Sequence, residues 1–162
     1  MLRDVRGGDV VTALAHHLQC AWLLAESVPD DLELQIAGLV HDVASSVSPR
    51  PAGDHAIAGA RLVRPLLGDR VADLVAGHVF AKRYLVTIDP AYRTLLSANS
   101  TSTLDAQGDA LSNEEREAFE QSPHAADRVR LRRADECAKV PHLLVPDLDH
   151  WRPRLEELAS TI

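Results

Sequence analysis

Apolar residues recur along most of this chain at the three-to-four-residue spacing of an amphipathic α-helix, and this spacing is the strongest constraint on the fold. The segment 9–28, DVVTALAHHLQCAWLLAESV, predicts one long helix. The segment 30–45, DDLELQIAGLVHDVAS, predicts a second helix, with Asp30 or Asp31 as its N-cap. Because β-branched residues occur only in runs too short for a sheet, the sequence predicts an all-α protein.

The rest of the chain carries further helix signals, separated by polar or proline-containing stretches. Helices are expected at 54–67, 68–85, 89–96, 111–121, 124–138 and 147–160, with a loop over 48–54. Ser112 stands three residues before Glu115, the spacing of a capping box at a helix start. The segment 99–108 is ambiguous between a capped helix and a polar loop. A length of 162 residues suits one domain, so we expect a compact helical bundle over residues 1–162.

Charge and composition narrow the range of partners. The formal net charge is −7 and the chain has no basic tail, so a nucleic-acid partner is not favoured. No apolar run is long enough to span a bilayer, and no signal peptide is recognisable at the start. The two cysteines form no CxxC pattern and are expected to be reduced thiols. These features predict a cytoplasmic protein that acts on a small molecule, and they leave the oligomeric state open.

Four of the eight histidines stand on four successive predicted helices. These are His16, His41, His55 and His78. A single histidine on an apolar helix face is usually a core or surface residue with an ordinary partner. Buried imidazoles need partners, however, and four of them converging inside a bundle could all be satisfied by one metal centre. Imidazole ligands suit iron, manganese and zinc alike, so the residues alone do not select the metal.

The order H…HD…H…H…D along the chain resembles the ligand order of the HD-domain superfamily, many of whose members are metal-dependent phosphohydrolases. The matching residues are His16, His41, Asp42, His55, His78 and Asp135. An HD dipeptide by itself is a weak signal, whereas the whole ordered set is a specific one. The resemblance implies two bound metal ions, with the carboxylate of Asp42 shared between them.

The resemblance also implies how the remaining ligands are divided. The first metal site would be completed by His16, His41 and Asp135. The second metal site would be completed by His55 and His78.

The N-terminal part of the chain is where the resemblance is least definite. His17 competes with His16 for the first ligand position, but HHLQCA is similar to a family stretch that favours His16. Relatives often carry a tyrosine and a glutamate, three residues apart, as a lid on the iron. Here the stretch is RGGD, in which Asp9 can stand for the acid and Arg6 replaces the tyrosine. A guanidinium cannot ligate iron as a phenolate does, so a tyrosine lid is not expected.

Three longer stretches narrow the resemblance to one branch of the superfamily. GHVFAKRYLVTIDPAYRTLLS, LDAQG and RLRRADECAK are similar to the mixed-valence di-iron HD oxygenases, relatives of myo-inositol oxygenase that cleave the carbon–phosphorus bond of organophosphonates. The similarity runs from about residue 8 to residue 151. It implies an Fe(II)/Fe(III) pair, O₂ as co-substrate, a small 1-hydroxyphosphonate substrate, and phosphate and a carboxylic acid as products. The alternatives are a metal-dependent phosphohydrolase acting on a small phosphate ester and, ranked last, a regulatory module.

The resemblance assigns polar residues around the metal sites to the substrate. A cation follows His78 by four residues and another precedes Asp135 by three, so each shares a helix face with a predicted ligand. A phosphonate needs cations and hydroxyl donors of this kind. The substrate-binding residues expected are Lys82, Ser100, Thr103 and Arg132, with Asp9, Ser45 and Gln107 in a lid or supporting role. Taken singly, the cations could equally be a solvated helix end and an ordinary basic face.

The residues after the HD pair differ from some relatives. Those relatives read H-D-x-G-H, and the last histidine contacts the substrate. Here the stretch is HDVASS, and Ser45 lies one turn after His41 on the same face. Serine is shorter and uncharged, so the pocket is expected to be roomier or shaped for another substituent on the reacting carbon.

Overall fold

The computed structural model describes residues 11–47 and 54–162, which form helices and no strand. The helices are α1 (Ala13–Ser27), α2 (Leu32–Val40), α3 (Val43–Val47), α4 (Asp54–Ile88), α5 (Tyr92–Leu95), α6 (Ala98–Ala106), α7 (Asn113–Gln121), α8 (Ala125–Cys137) and α9 (Leu148–Ala159). The prediction of an all-α fold is confirmed. Arg6, Asp9 and most of the predicted 48–54 loop lie outside the described residues.

Side-chain caps explain where several helices begin. The Thr12 hydroxyl accepts a hydrogen bond from the Ala15 N–H at 3.2 Å, so α1 starts at Ala13 and not at residue 9. Asp31, and not Asp30, is the N-cap of α2, and its carboxylate accepts a hydrogen bond from the Leu34 N–H at 3.1 Å. The capping box predicted for α7 is confirmed by reciprocal Ser112 and Glu115 hydrogen bonds.

The segment predicted as one helix over 30–45 is interrupted at the HD pair. α2 ends at Val40 and α3 begins at Val43, which leaves His41 and Asp42 in the turn between them. The His41 Nδ1–H donates to the Gly38 carbonyl at 2.8 Å, the acceptor that a continuous helix would offer to the Asp42 N–H. The prediction of a continuous helix was therefore wrong at the HD pair.

The two helices predicted at 54–67 and 68–85 form α4, and Gly68 divides it. Gly68 has φ 81° and ψ 177°, a left-handed-side conformation that glycine adopts without steric cost. The ambiguous segment 99–108 is helical up to Ala106 as part of α6, whose N-cap Ser97 accepts a hydrogen bond from the Ser100 N–H at 3.2 Å.

The core lies where α1, α2, α4, α8 and α9 meet. α1 packs closely on α2 because Gly38 presents no side chain to α1: a Cβ there would lie 2.6 Å from Leu24 Cδ1. The largest fully buried side chains of this core include Leu24, Leu34, Leu74, Leu131 and Trp151. The same packing brings the histidine-bearing elements together. Of the helices described, none has both the length and the apolar character needed to cross a membrane.

Candidate metal centre

The six predicted ligands converge from four parts of the fold. They come from α1 (His16), the α2–α3 turn (His41, Asp42), the two halves of α4 (His55, His78) and α8 (Asp135). At the first metal site, His16 Nε2 lies 3.3 Å from His41 Nε2 and 3.2 Å from Asp135 Oδ1. His41 Nε2 lies 3.8 Å from the same Asp135 oxygen. The structure thus brings together three side chains that are up to 119 residues apart in the chain, since 135 − 16 = 119.

The second metal site is built in the same way around Asp42. His55 Nε2 lies 3.1 Å from His78 Nε2. Asp42 Oδ1 lies 3.3 Å from the first of these nitrogens and 3.6 Å from the second. Asp42 Oδ2 points the other way and lies 3.8 Å from His41 Nε2. The Asp42 carboxylate therefore belongs to both groups of ligands, as the bridging role requires.

The tautomers of three imidazoles leave ring nitrogens with lone pairs that can bind a cation. Nδ1–H donates to a backbone carbonyl in His16 (Ala138), His41 (Gly38) and His78 (Val75), at 2.7 to 2.8 Å. Since a carbonyl only accepts, Nε2 in each ring carries the lone pair. At the first site two such lone pairs face each other and cannot hydrogen bond, and at the second site Asp42 Oδ1 is buried with no hydrogen-bond partner among the described residues. One metal ion in each group satisfies these atoms, so the donor set fits the metal that the resemblance implies.

Electrostatics keep the ligands in their metal-binding protonation states. Burial opposes ionisation of Asp135, but the nearby Arg132 guanidinium holds the pKa of this carboxyl well below its usual range. Burial also opposes ionisation of Asp42, but the charges of His41 and His78 lower the pKa of this carboxyl below its usual value. Burial lowers the pKa of His78 to about 4. Near neutral pH these carboxylates are ionised and the His78 imidazole is neutral, as metal ligation requires.

The structure directs His16, and not His17, into the first site. The His17 ring is buried beside the cluster, with its centroid 5.4 Å from that of His41. His16 Nε2 lies 3.2 Å from Asp135 Oδ1, whereas His17 contacts the cluster through its ring, against the rings of His16 and His41. His17 therefore packs behind the ligands, and burial lowers its pKa to about 4.

A cavity of about 660 Å³ opens over both metal sites. Its wall includes every predicted substrate or supporting residue within the described part of the chain. These are Ser45, Lys82, Ser100, Thr103, Gln107 and Arg132. Ser45 is exposed at the cavity, and the Gln107 Oε1 atom is buried and has no hydrogen-bond partner in the part of the chain that the structure describes.

Lys82 is the most unusual cation of this cavity. Its side chain is buried, with 3% of the residue exposed, and Nζ donates to the Ser100 carbonyl at 3.1 Å and to Thr103 Oγ1 at 3.0 Å. Among the residues described, no carboxylate forms an ion pair with Lys82. Burial, together with the charge of Arg132, lowers the pKa of Lys82 to about 8. A buried ammonium without a counter-ion is available for an anionic ligand.

Arg132, by contrast, is already paired with protein groups. Its guanidinium donates to Asp135 and Glu136, and its Nε–H donates to the Tyr92 hydroxyl at 2.9 Å. It therefore orients the predicted ligand Asp135 as well as bordering the cavity. Lys139 also lines the cavity and was not predicted from the sequence. It stands four residues after Asp135, the same spacing that pointed from His78 to Lys82, so the signal was present.

A helical fold that holds two clusters of histidine and aspartate, joined by one carboxylate, defines an HD-type metal-binding protein. The HD domain family matches residues 11–131, and the chain belongs to this family. A hydroxymethylphosphonate dioxygenase from Gimesia maris is 35% identical over 157 residues, which cover 91% of this chain and 78% of that protein. A (1-hydroxy-2-(trimethylamino)ethyl)phosphonate dioxygenase (glycine-betaine-forming) from Leisingera caerulea is 30% identical over 161 residues, with coverages of 94% and 82%. The resemblance to the phosphonate oxygenases of this family is confirmed.

Proposed function

We propose that this protein is an O₂-dependent di-iron oxygenase that cleaves the C–P bond of a small 1-hydroxyphosphonate, giving phosphate and a carboxylic acid. The observation that carries the proposal is a buried Lys82, with no carboxylate partner among the described residues, in the same cavity as two clusters of side chains that could hold metal ions. An anion held there lies beside the metals. The similarity to two proteins named phosphonate dioxygenases supports the same activity.

The metal ligands in this proposal are the residues of the first and second metal sites. His16, His41 and Asp135 would hold one iron, His55 and His78 would hold the other, and Asp42, which lies between the two groups, would serve both. A mixed-valence Fe(II)/Fe(III) pair held by these residues would supply the redox chemistry with O₂. The protein keeps the imidazoles in the Nε2-ligating tautomer through backbone carbonyls.

The phosphonate is bound by the cavity wall next to the metals. Lys82 Nζ supplies the charge that compensates the anion, and its partner Thr103 and the neighbouring Ser100 supply hydroxyls. Arg132 borders the same wall while its other N–H groups hold Asp135. Binding here places the carbon that carries the phosphonate between the anion site and the metals. Ser45 lines the same cavity where the sequence differs from some relatives, so we expect it to border the group attached to that carbon.

A metal-dependent phosphohydrolase is the second candidate. The same ligands could hold divalent ions that activate a water molecule against a phosphate ester. Lys82 would serve a phosphate ester as well as a phosphonate. The names of the two relatives favour the oxygenase, and the two candidates differ in their need for O₂.

The test is aerobic incubation of the iron-loaded protein with a panel of 1-hydroxyphosphonates, beginning with hydroxymethylphosphonate, while phosphate release and O₂ uptake are followed. We expect equimolar phosphate and O₂ turnover and the matching carboxylic acid. An anaerobic sample and a magnesium-loaded sample serve as controls. Equal phosphate release in either control would contradict the oxygenase and support the hydrolase.

A further inference from the structure

A buried carboxylate, Glu136, lies directly behind the cavity wall. Its side chain is 8% exposed, and its two oxygens accept three hydrogen bonds and form an ion pair with Lys139. Oε1 accepts from the Ser97 N–H at 2.8 Å and lies 3.1 Å from Lys139 Nζ. Oε2 accepts from Ser100 Oγ at 3.1 Å and from the Arg132 guanidinium. Glu136 is therefore fully engaged, and no group outside the protein is needed to satisfy it.

The four partners of Glu136 all line the cavity, whereas Glu136 does not. Ser97 and Ser100 belong to the N-cap and first turn of α6, Arg132 belongs to α8, and Lys139 follows the end of α8. One carboxylate thus connects three separate parts of the wall from behind. It also separates two cations that would otherwise repel each other across a poorly solvated space.

We propose that Glu136 is a positioning residue for the phosphonate site: it fixes Arg132, Lys139 and the first turn of α6 in the arrangement that binds the anion. This inference rests on the proposed function. A glutamine at this position could still accept hydrogen bonds on one side, but its NH₂ group would face a donor on the other. The charge that holds the two cations would also be lost. The wall would open, and the anion would bind more weakly.

A different role for Glu136, competition with the anion for the two cations, predicts the opposite change in affinity. Glu136 occupies N–H groups of Arg132 and Lys139 that could otherwise contact the anion. If Glu136 only competed with the substrate for these cations, its neutralisation would tighten anion binding. The direction of the change in affinity therefore distinguishes positioning from competition.

The experiment compares iron-loaded wild type with Glu136→Gln and with Glu117→Gln, which removes the same charge from an exposed site on α7. We expect Glu136→Gln to raise the KM for hydroxymethylphosphonate and the Kd for inorganic phosphate by about tenfold, as for the loss of one charge-assisted hydrogen bond. Iron content should be unchanged and kcat should stay within about twofold, while Glu117→Gln behaves as wild type. A residue that only stabilised the fold would lower the melting temperature without changing KM or Kd.

Unchanged or tighter phosphate binding by Glu136→Gln would overturn the proposal. If that variant does not fold, Glu136→Asp is tested in its place, because it keeps the charge but retracts it by one methylene. Its Kd for phosphate should rise by a smaller factor than expected for Glu136→Gln. A Kd equal to that of the wild type would overturn the inference. Phosphate binding does not depend on turnover. A wild type that shows no O₂-dependent phosphate release would contradict the proposed function, and this is a separate observation.

Discussion

At the scale of single residues, the adjacent histidines His16 and His17 offer the sharpest test of the metal assignment. His16 directs Nε2 towards Asp135, whereas His17 packs beside the cluster. We expect His16→Ala to lose about one of the two irons and His17→Ala to keep both, because a lost ligand typically weakens metal affinity more than a lost neighbour. Elemental analysis of the folded variants measures this. Full iron in His16→Ala, or loss in His17→Ala, would reverse the assignment.

The lowered pKa of Lys82 leads to a prediction about how kcat/KM depends on pH. Its pKa is lowered to about 8 by burial and by Arg132, so the free enzyme loses this cation as the pH rises through that value. We expect kcat/KM for hydroxymethylphosphonate to fall above pH 8, because the neutral amine no longer compensates the anion. Lys82→Met should lower kcat/KM by about tenfold to a hundredfold at pH 7, the effect of about 1.5–3 kcal/mol. The remaining activity of the variant should lack the alkaline fall, and a wild-type pH profile in the variant would contradict this role.

Spacing along a helix identified cations that share a face with a predicted ligand, and it missed Glu136, whose contacts join separate helices. Lys82 was found because it stands one turn from His78, and Lys139 could have been found in the same way from Asp135. The Glu136 carboxylate accepts a hydrogen bond from the Ser97 N–H, which is 39 residues away in the sequence. No periodicity connects such a pair, since the contact depends on how α6 and α8 are placed in space.

At the scale of the helices, the caps of α6 and α7 allow a matched comparison. Ser97 and Ser112 each accept a hydrogen bond from a backbone N–H in the first turn of their helix. Replacing either serine by alanine should lower the free energy of unfolding by about 1 kcal/mol, measured by urea denaturation. Only Ser97→Ala should also raise the KM for the phosphonate, because α6 begins at the cavity and α7 does not. Equal KM values in the two variants would remove α6 from the binding site.

The close contact between α1 and α2 leads to a prediction about the affinity of the first metal site for iron. A Cβ at Gly38 would lie 2.6 Å from Leu24 Cδ1 and 3.3 Å from the Ala21 nitrogen. Gly38→Ala should therefore cost about 1–3 kcal/mol of stability as the helices move apart. Since the Gly38 carbonyl also orients His41, iron binding at the first site should weaken, which a chelator competition would measure. Unchanged iron affinity would show that His41 is positioned independently of this helix contact.

The helices themselves were largely predictable, and the break at the HD pair was not. Periodicity and capping residues predicted the helical segments, because both signals are local. The interruption after Val40 depends on the His41 side chain taking the Gly38 carbonyl, which follows from where the ring is held in the folded protein. Propensity treats 30–45 as one helix because histidine and aspartate are both tolerated there.

At the scale of the whole molecule, the metal sites connect elements that are otherwise held by apolar packing. The ligands belong to α1, the α2–α3 turn, α4 and α8, which also form the core. A metal that binds only the folded state stabilises it by mass action, by about 2.7 kcal/mol at a hundred times the dissociation constant. Iron should therefore raise the melting temperature, and its removal by a chelator should lower it reversibly. A melting temperature independent of iron would contradict ligation by these four elements.

The metal-free protein should lose stability as the pH falls, because buried histidines must stay neutral in the fold. Burial lowers the pKa values of His17 and His78 to about 4, whereas in the unfolded chain they return to about 6.5. Below that unfolded value the unfolded chain binds protons that the folded protein does not, so stability is present above pH 6.5 and is lost towards pH 4. The pKa of His16 is raised, since the hydrogen bond and charge of Asp135 outweigh burial, and it offsets part of this loss. We expect the free energy of unfolding to fall by on the order of 2 kcal/mol between pH 7 and pH 5, measured by urea denaturation of the metal-free protein. His17→Gln should show a smaller fall, and an equal fall in the variant would mean that His17 does not remain neutral in the fold.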